Sequence, residues 1–73
     1  MSAAQNFVAN LSALLATKGL SQRELARIMG IKHPYISRVL SGQSTPTLEF
    51  VDKVAIAVGV DGESLIKNPH KRR

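Results

Sequence analysis

The chain has no cysteine and no tryptophan, and its aromatic side chains are two phenylalanines and one tyrosine. Without cysteine there are no disulfides, no zinc–thiolate sites and no thiol catalysis, which fits a reducing cytosol. The shortage of aromatics argues against base-stacking platforms for RNA or single-stranded DNA. No apolar run approaches the roughly 20 residues that span a bilayer, so no membrane partner is expected. The first ten residues, MSAAQNFVAN, lack the basic stretch that opens a secretory signal. Nothing pairs a nucleophile with a base, and no Gly-rich loop cradles a phosphate. His33 and His70 have no second ligand at metal spacing. Enzymatic activity, a bound metal and a cofactor are therefore not expected.

Acidic residues are also few. Five stand against ten lysines and arginines, for a net charge of +5, and this balance points to a polyanionic partner. The distribution is uneven. Lys18, Arg23, Arg27, Lys32 and Arg38 precede residue 45 with Glu24 as the lone acid, whereas Glu49, Asp52, Asp61 and Glu63 then face Lys53 alone. Lys67, Lys71, Arg72 and Arg73 close the chain. At 73 residues there is room for one domain, and a domain of that size buries only roughly 60% of its unfolded surface.

Helical periodicity and capping signals divide the chain. Ser2 with Gln5 spells a capping box ahead of a stripe of Phe7, Val8, Leu11, Leu14 and Leu15, and Gly19 is a stop, predicting a first helix over about 3–18. Ser21 with Glu24 spells a second box. Leu25, Ala26 and Met29 recur at helical spacing before Gly30, predicting a helix over 22–29. Ile31 is an apolar plug, Pro34 suits a first helical turn, and Ile36, Val39 and Leu40 give a third helix, about 33–41, with Gly42 as its end. His33 precedes proline and is a candidate N-cap rather than the first helical residue. Pro46 opens a fourth helix with Thr45 or Thr47 as cap and a core stripe of Leu48, Val51, Val54, Ala55 and Val58, closed by Gly59. Phe50 and Ile56 look surplus to that stripe; they complete the core or form an interface. Val60 follows as a contact after the cap, and Asp61 caps a short helix over 62–67 with Leu65 inward. No strand signal appears. The expected fold is all-α, five short helices around one core, over residues 1–67, followed by a flexible basic tail, 68–73.

The pair of short helices within SQRELARIMGIKHPYISRVLSG has a functional reading. Small Ala26 sits where two steeply crossing helices need a short side chain, Gly30 lies in the turn, and Leu25, Met29, Ile31, Ile36 and Val39 occupy buried sites. Lys32, His33, Ser37 and Arg38 fall between them, on an outward polar face that the major groove of DNA accepts.

From Leu20 to Val60, through SQRELARIMGI, YISRVLSG and PTLEFVDKVAIAVGV, the chain resembles the phage-repressor and Cro-like (XRE) helix-turn-helix family. The resemblance implies a compact five-helix lambda-repressor-like domain with its helix-turn-helix in the second and third helices. Carried over by position, it implies that Gln22 hydrogen-bonds a phosphate and braces the recognition helix, with Arg23 beside it. Lys32 and His33 stand at the head of that helix, where relatives read base edges, and Ser37 and Arg38 lie one turn on. Tyr35 matches a commonly aromatic position whose hydroxyl reaches a phosphate, and Ser41, Gln43 and Ser44 lie in a loop that offers amides and polar groups to the DNA backbone. Pro34 departs from the pattern, since it cannot make the bidentate base contact of a glutamine; it touches a thymine methyl or fixes the helix start.

Each feature also has a plainer account. Capping boxes occur on helices of every function, Arg23 and Arg27 read as a solvated face, and Tyr35 reads as packing. Taken together, the expected function is a transcriptional regulator, a repressor of bacterial or phage origin in the cytoplasm. It would bind a near-palindromic double-stranded DNA operator as a homodimer paired through Val60, Leu65 and Ile66. The alternative is an antitoxin-like or adaptor module whose main partner is a protein such as a toxin or a polymerase, supported if Phe50, Ile56 and Ile66 are exposed.

Overall fold

The computed structural model describes residues 2–69 and is helical throughout its regular structure: α1 (Ala3–Lys18), α2 (Gln22–Met29), α3 (His33–Leu40), α4 (Leu48–Val58) and α5 (Gly62–Ile66). No strand occurs among the described residues. His70 to Arg73, the bulk of the expected basic tail, lie outside them.

Both predicted capping boxes form. Ser2 and Gln5 satisfy each other's amides at the start of α1, as Ser21 and Glu24 do at the start of α2. At the end of α2, Gly30 adopts φ 70°, a left-handed conformation that costs other residues about 1 kcal/mol or more. That turn lets the Gly30 and Ile31 amides close back on Ala26 and Arg27 carbonyls, sending the chain into α3 within three residues.

Phe7, Leu11 and Leu15 of α1, Leu25 and Ala26 of α2, Ile36 and Val39 of α3, Phe50, Val51, Val54, Ala55 and Val58 of α4, and Leu65 of α5 form one core. Met29, Ile31, Leu14, Leu40 and Val60 are half-buried against it. Phe7 and Phe50 meet edge-on at 6.0 Å, and Phe50 meets Tyr35 edge-on at 5.0 Å, a geometry favoured by the ring quadrupoles.

Three expectations are corrected by the structure. Pro46 does not open α4: Thr47 is the N-cap, its Oγ1 accepting from the Phe50 amide, and Pro46 precedes it. Leu48 is 75% exposed rather than part of the core stripe, and Phe50, at 8%, takes the buried place because two other rings reach it. His33 is the first residue of α3 and Lys32 the cap. Pro34 then falls in the first turn of α3, where its missing amide forfeits no intrahelical bond, and the helix begins at His33 despite the steric bias before proline.

A polar clamp that apolar periodicity does not reveal ties the two ends of the domain together. Asn6 and Asn10, one turn apart on α1, donate to the carbonyl of Ile66 and to those of Leu65 and Lys67, at 2.8–3.0 Å. They satisfy the open C-terminal carbonyls of α5, a helix with neither a side-chain N-cap bond nor a glycine stop. Asn10→Ala removes two of these bonds, and its expected cost is about 1–2 kcal/mol of stability in urea unfolding. Amide exchange should accelerate in α5 before it does in α2 and α3; a variant as stable as the parent would refute the clamp.

Candidate nucleic-acid interface

α2 and α3 cross with Ala26 buried at 3% and with Leu25, Ile36 and Val39 sealed beneath them. Burying Ile36 and Val39 turns the opposite arc of α3 outward. Pro34 and Arg38 are exposed there, the cap residue Lys32 is exposed ahead of them, and His33, Tyr35 and Ser37 are half-buried along its flank. Arg23 is exposed at the head of α2 and Gln22 is half-buried beside it, facing α3. Of the described residues, Lys53 and Glu49 form an ion pair, 3.7 Å apart on the exposed face of α4. Among those residues no carboxylate lies within salt-bridge reach of Arg23, Lys32 or Arg38, so their charge is available to a polyanion.

The expected base-contacting residues therefore share one edge of the molecule, but in different states. Lys32 and Arg38 extend into solvent. The Arg38 guanidinium lies 6.0 Å from the centroid of the Tyr35 ring, at the outer limit of a cation–π contact, so the ring limits where the arginine swings. Tyr35 itself is held from behind by Phe50, so the packing and phosphate roles expected for it are compatible. Ser37 is engaged within the protein: its hydroxyl donates to Gln22 Oε1 at 3.0 Å and lies 3.3 Å from His33 Nε2. This is the brace between α2 and α3 expected of Gln22.

The loop after α3 differs from expectation in which donors it leaves open. The Arg38 carbonyl accepts from the amides of Gln43 and Ser44, at 2.8 and 3.2 Å, and from the Ser41 hydroxyl at 3.1 Å. Gly42 makes this wrap possible with φ 85°. The two amides and the Ser41 hydroxyl are thus spent on closing α3, leaving the Gln43 side chain and the Ser44 hydroxyl as the outward polar groups of this loop. Spacing alone could not reveal this, because the loop's hydrogen bonds depend on its path rather than its composition.

The dimer contact expected at Val60, Leu65 and Ile66 is corrected at its centre. Leu65 is 2% exposed within its own core and offers no surface to a partner. Val60 and Ile66 are half-buried and open into different grooves, Val60 beside Asn10, Leu14 and Thr17, and Ile66 beside Ala3, Ala4, Pro46 and Leu48. The large exposed apolar side chains are instead Ile28 (54%), Leu48 and Ile56 (82%), and Ile28 and Ile56 line one shallow groove with Met29, Lys53 and Ala57. Ile28 carries no signal in the sequence pattern because it lies between the stripe residues of α2.

At the head of α2 the Ser21 amide first, and the Ser21 side chain second, hold the Glu24 carboxyl below its ordinary value of 4.5. A carboxyl lowered by folding contributes stability above its unfolded-state pKa, and that contribution disappears as pH falls through the folded-state value. The parent should therefore exceed Glu24→Gln in stability at about pH 7, with the gap narrowing as pH falls below the ordinary value of 4.5; a gap that stays constant through acid pH would rule out charge as its source.

Several known proteins share this arrangement. A family model described as "Helix-turn-helix" matches residues 11–65. A hypothetical transcription factor of Neisseria meningitidis serogroup B is 35% identical over 63 residues, covering 86% of this chain and 59% of that protein. An uncharacterised HTH-type transcriptional regulator of Haemophilus influenzae is 39% identical over 41 residues, 56% of this chain and 42% of that one. The chain thus spans about three-fifths and two-fifths of these relatives' lengths. Among solved structures, the hypothetical transcription factor NHTF from Neisseria superposes with a TM-score of 0.83 at 33% identity, covering 88% of this chain and 74% of that one. The restriction-modification controller protein C.AhdI of Aeromonas hydrophila gives 0.76 at 33% identity, covering 82% and 91%.

Proposed function

The chain belongs to the helix-turn-helix family, of the phage-repressor and Cro-like kind, and we propose that it is a repressor that binds a near-palindromic DNA operator as a homodimer. A DNA-binding transcriptional regulator is the function that its family and relatives support. The observation that carries the reading is the outward edge of α3, where Lys32 and Arg38 stand exposed and free of acidic partners on a helix whose other face is locked into the core.

In this reading residues 1–67 are the DNA-binding unit and α3 enters the major groove. Arg38 spans O6 and N7 of a guanine, a pairing worth about 1–3 kcal/mol of discrimination. Lys32 and His33 read the base edges nearer the helix head. Gln22, Arg23, Tyr35, Gln43 and the Ser44 side chain face the phosphates, adding affinity without sequence preference, whereas the Ser41 hydroxyl stays on the Arg38 carbonyl. At eight residues, α3 is about 12 Å long and covers only a few base pairs. Two copies related by a dyad place two such helices about 34–36 Å apart, in successive grooves. In this reading self-association uses Ile66, on the groove it shares with Ala3, Ala4, Pro46 and Leu48, and not the buried Leu65.

A second reading, a module that binds another protein, is favoured by the Ile28–Ile56 groove, although Phe50 is buried and lends it nothing.

Selection of bound duplexes from a random pool tests the reading. Arg38→Ala should flatten the base preference at one position by about tenfold or more while nonspecific affinity changes little; equal losses on specific and random duplexes would refute the role. Ile66→Glu should weaken self-association in sedimentation. If Ile56→Glu does so instead and Ile66→Glu does not, the dyad lies on α4.

A further inference from the structure

The short path Gln22–Ser37–His33 links the head of α2 to the head of α3. A serine hydroxyl has one proton to give and lone pairs to receive with. Here the proton goes to Gln22 Oε1. Ser37 Oγ can then only accept from His33 Nε2, 3.3 Å away, so a neutral His33 carries its proton on Nε2 and keeps Nδ1 as an acceptor. The opposite end of the path is equally constrained. With Oε1 turned inward, the Gln22 amide nitrogen is the group left to face outward, and it is a pure donor.

A reversed path is also chemically complete. The Gln22 amide would rotate, its nitrogen would donate to Ser37 Oγ, and the hydroxyl would donate a hydrogen bond to an unprotonated His33 Nε2, the single ring proton then residing on Nδ1. That arrangement points Gln22 Oε1 at the phosphate, acceptor against anion. An approaching phosphate therefore selects the first polarity, and the choice is transmitted two side chains away.

We propose that Ser37 is a positioning residue that couples the phosphate contact of Gln22 to base reading by His33, which presents Nδ1 as an acceptor to the exocyclic amino group of adenine or cytosine. This rests on the reading of α3 as the recognition helix. In the major groove those amino groups are the donors that bases offer, whereas guanine and thymine offer acceptors at the corresponding edges. Ser37 then contributes to specificity without touching a base.

The test has two arms. In the free protein, imidazole nitrogen NMR at about pH 8.5, two units above the ordinary histidine value, should find the His33 proton on Nε2; a proton on Nδ1 overturns the proposal. In duplex selection, the position whose preference is lost in His33→Ala should favour adenine or cytosine. Gln22→Ala should weaken all duplexes and also reduce that preference by about fivefold, the equivalent of one hydrogen bond. Ser37→Thr keeps the hydroxyl and should keep the preference, whereas Ser37→Val, which matches threonine in shape, should lose it. Adding Gln22→Ala to the Ser37→Val variant should then cost no further preference. A Gln22→Ala variant that loses affinity uniformly, with the His33-dependent preference intact, overturns the coupling while leaving DNA recognition standing. A parent protein that favours no duplex over scrambled sequence sinks the DNA-binding reading itself, and the NMR arm still decides the polarity.

Discussion

Ile36 and Val39 are each 1% exposed, and their burial sets where α3 sits. An eight-residue helix whose cap residue, Lys32, makes no side-chain cap bond has little stability of its own. It persists because these two side chains share a core with Leu25, Phe7 and the valines of α4. The functional face is a by-product of that anchoring. Once the inward pair is fixed, helical geometry leaves Pro34 and Arg38 no other direction, the extended cap residue Lys32 stands exposed ahead of them, and the left-handed turn at Gly30 fixes the angle at which α2 delivers Gln22 beside them. Truncating either buried side chain would disturb the basic edge without touching it.

Much of this was legible because the relevant signals are local. A capping box needs three residues, a left-handed stop needs one glycine, and an apolar stripe needs two turns; the ends of α1 and α2 followed directly. The failures have a common origin in information that lies elsewhere in the chain. Periodicity gives Leu48 nearly the azimuth of Ala55, but not whether a neighbouring element reaches the first turn of α4, and there it stays exposed. Phe50 is at the stripe's opposite margin, yet a ring is long enough to reach Phe7 and Tyr35. Asn6 and Asn10 interrupt an apolar helix at i, i+4 spacing, a signal that something polar faces that side, although only the fold shows it to be the end of α5.

The polar face shows the same division. Residue types and spacing brought Gln22, His33, Ser37 and Arg38 together on one edge, but not the direction in which their protons run. Ser41, Gln43 and Ser44 look like donors on paper, yet one carbonyl, that of Arg38, absorbs two amides and a hydroxyl from this loop. That carbonyl belongs to the last turn of α3, where four carbonyls lack helical partners. The loop therefore first completes the helix that carries Arg38, and only its remaining side-chain groups face outward. A backbone tied down by the loop and a solvent-exposed guanidinium thus coexist at Arg38.

Charge segregation along the sequence becomes a division among elements, with Arg23, Arg27, Lys32 and Arg38 on α2 and α3 and their approaches against Glu24, and Glu49, Asp52, Asp61 and Glu63 on α4 and α5 and their approaches against Lys53 and Lys67. The body measures 34 × 24 × 19 Å, about two to four times the screening length of about 8 Å at physiological ionic strength. Charges on α4 and α5 that lie more than one such length from Lys32 and Arg38 are largely screened from them. At low salt, where screening reaches about 30 Å, the same charges act across the whole body. In the proposed reading their effect is therefore on encounter and orientation, while contact affinity falls to the side chains that Ile36 and Val39 hold in place.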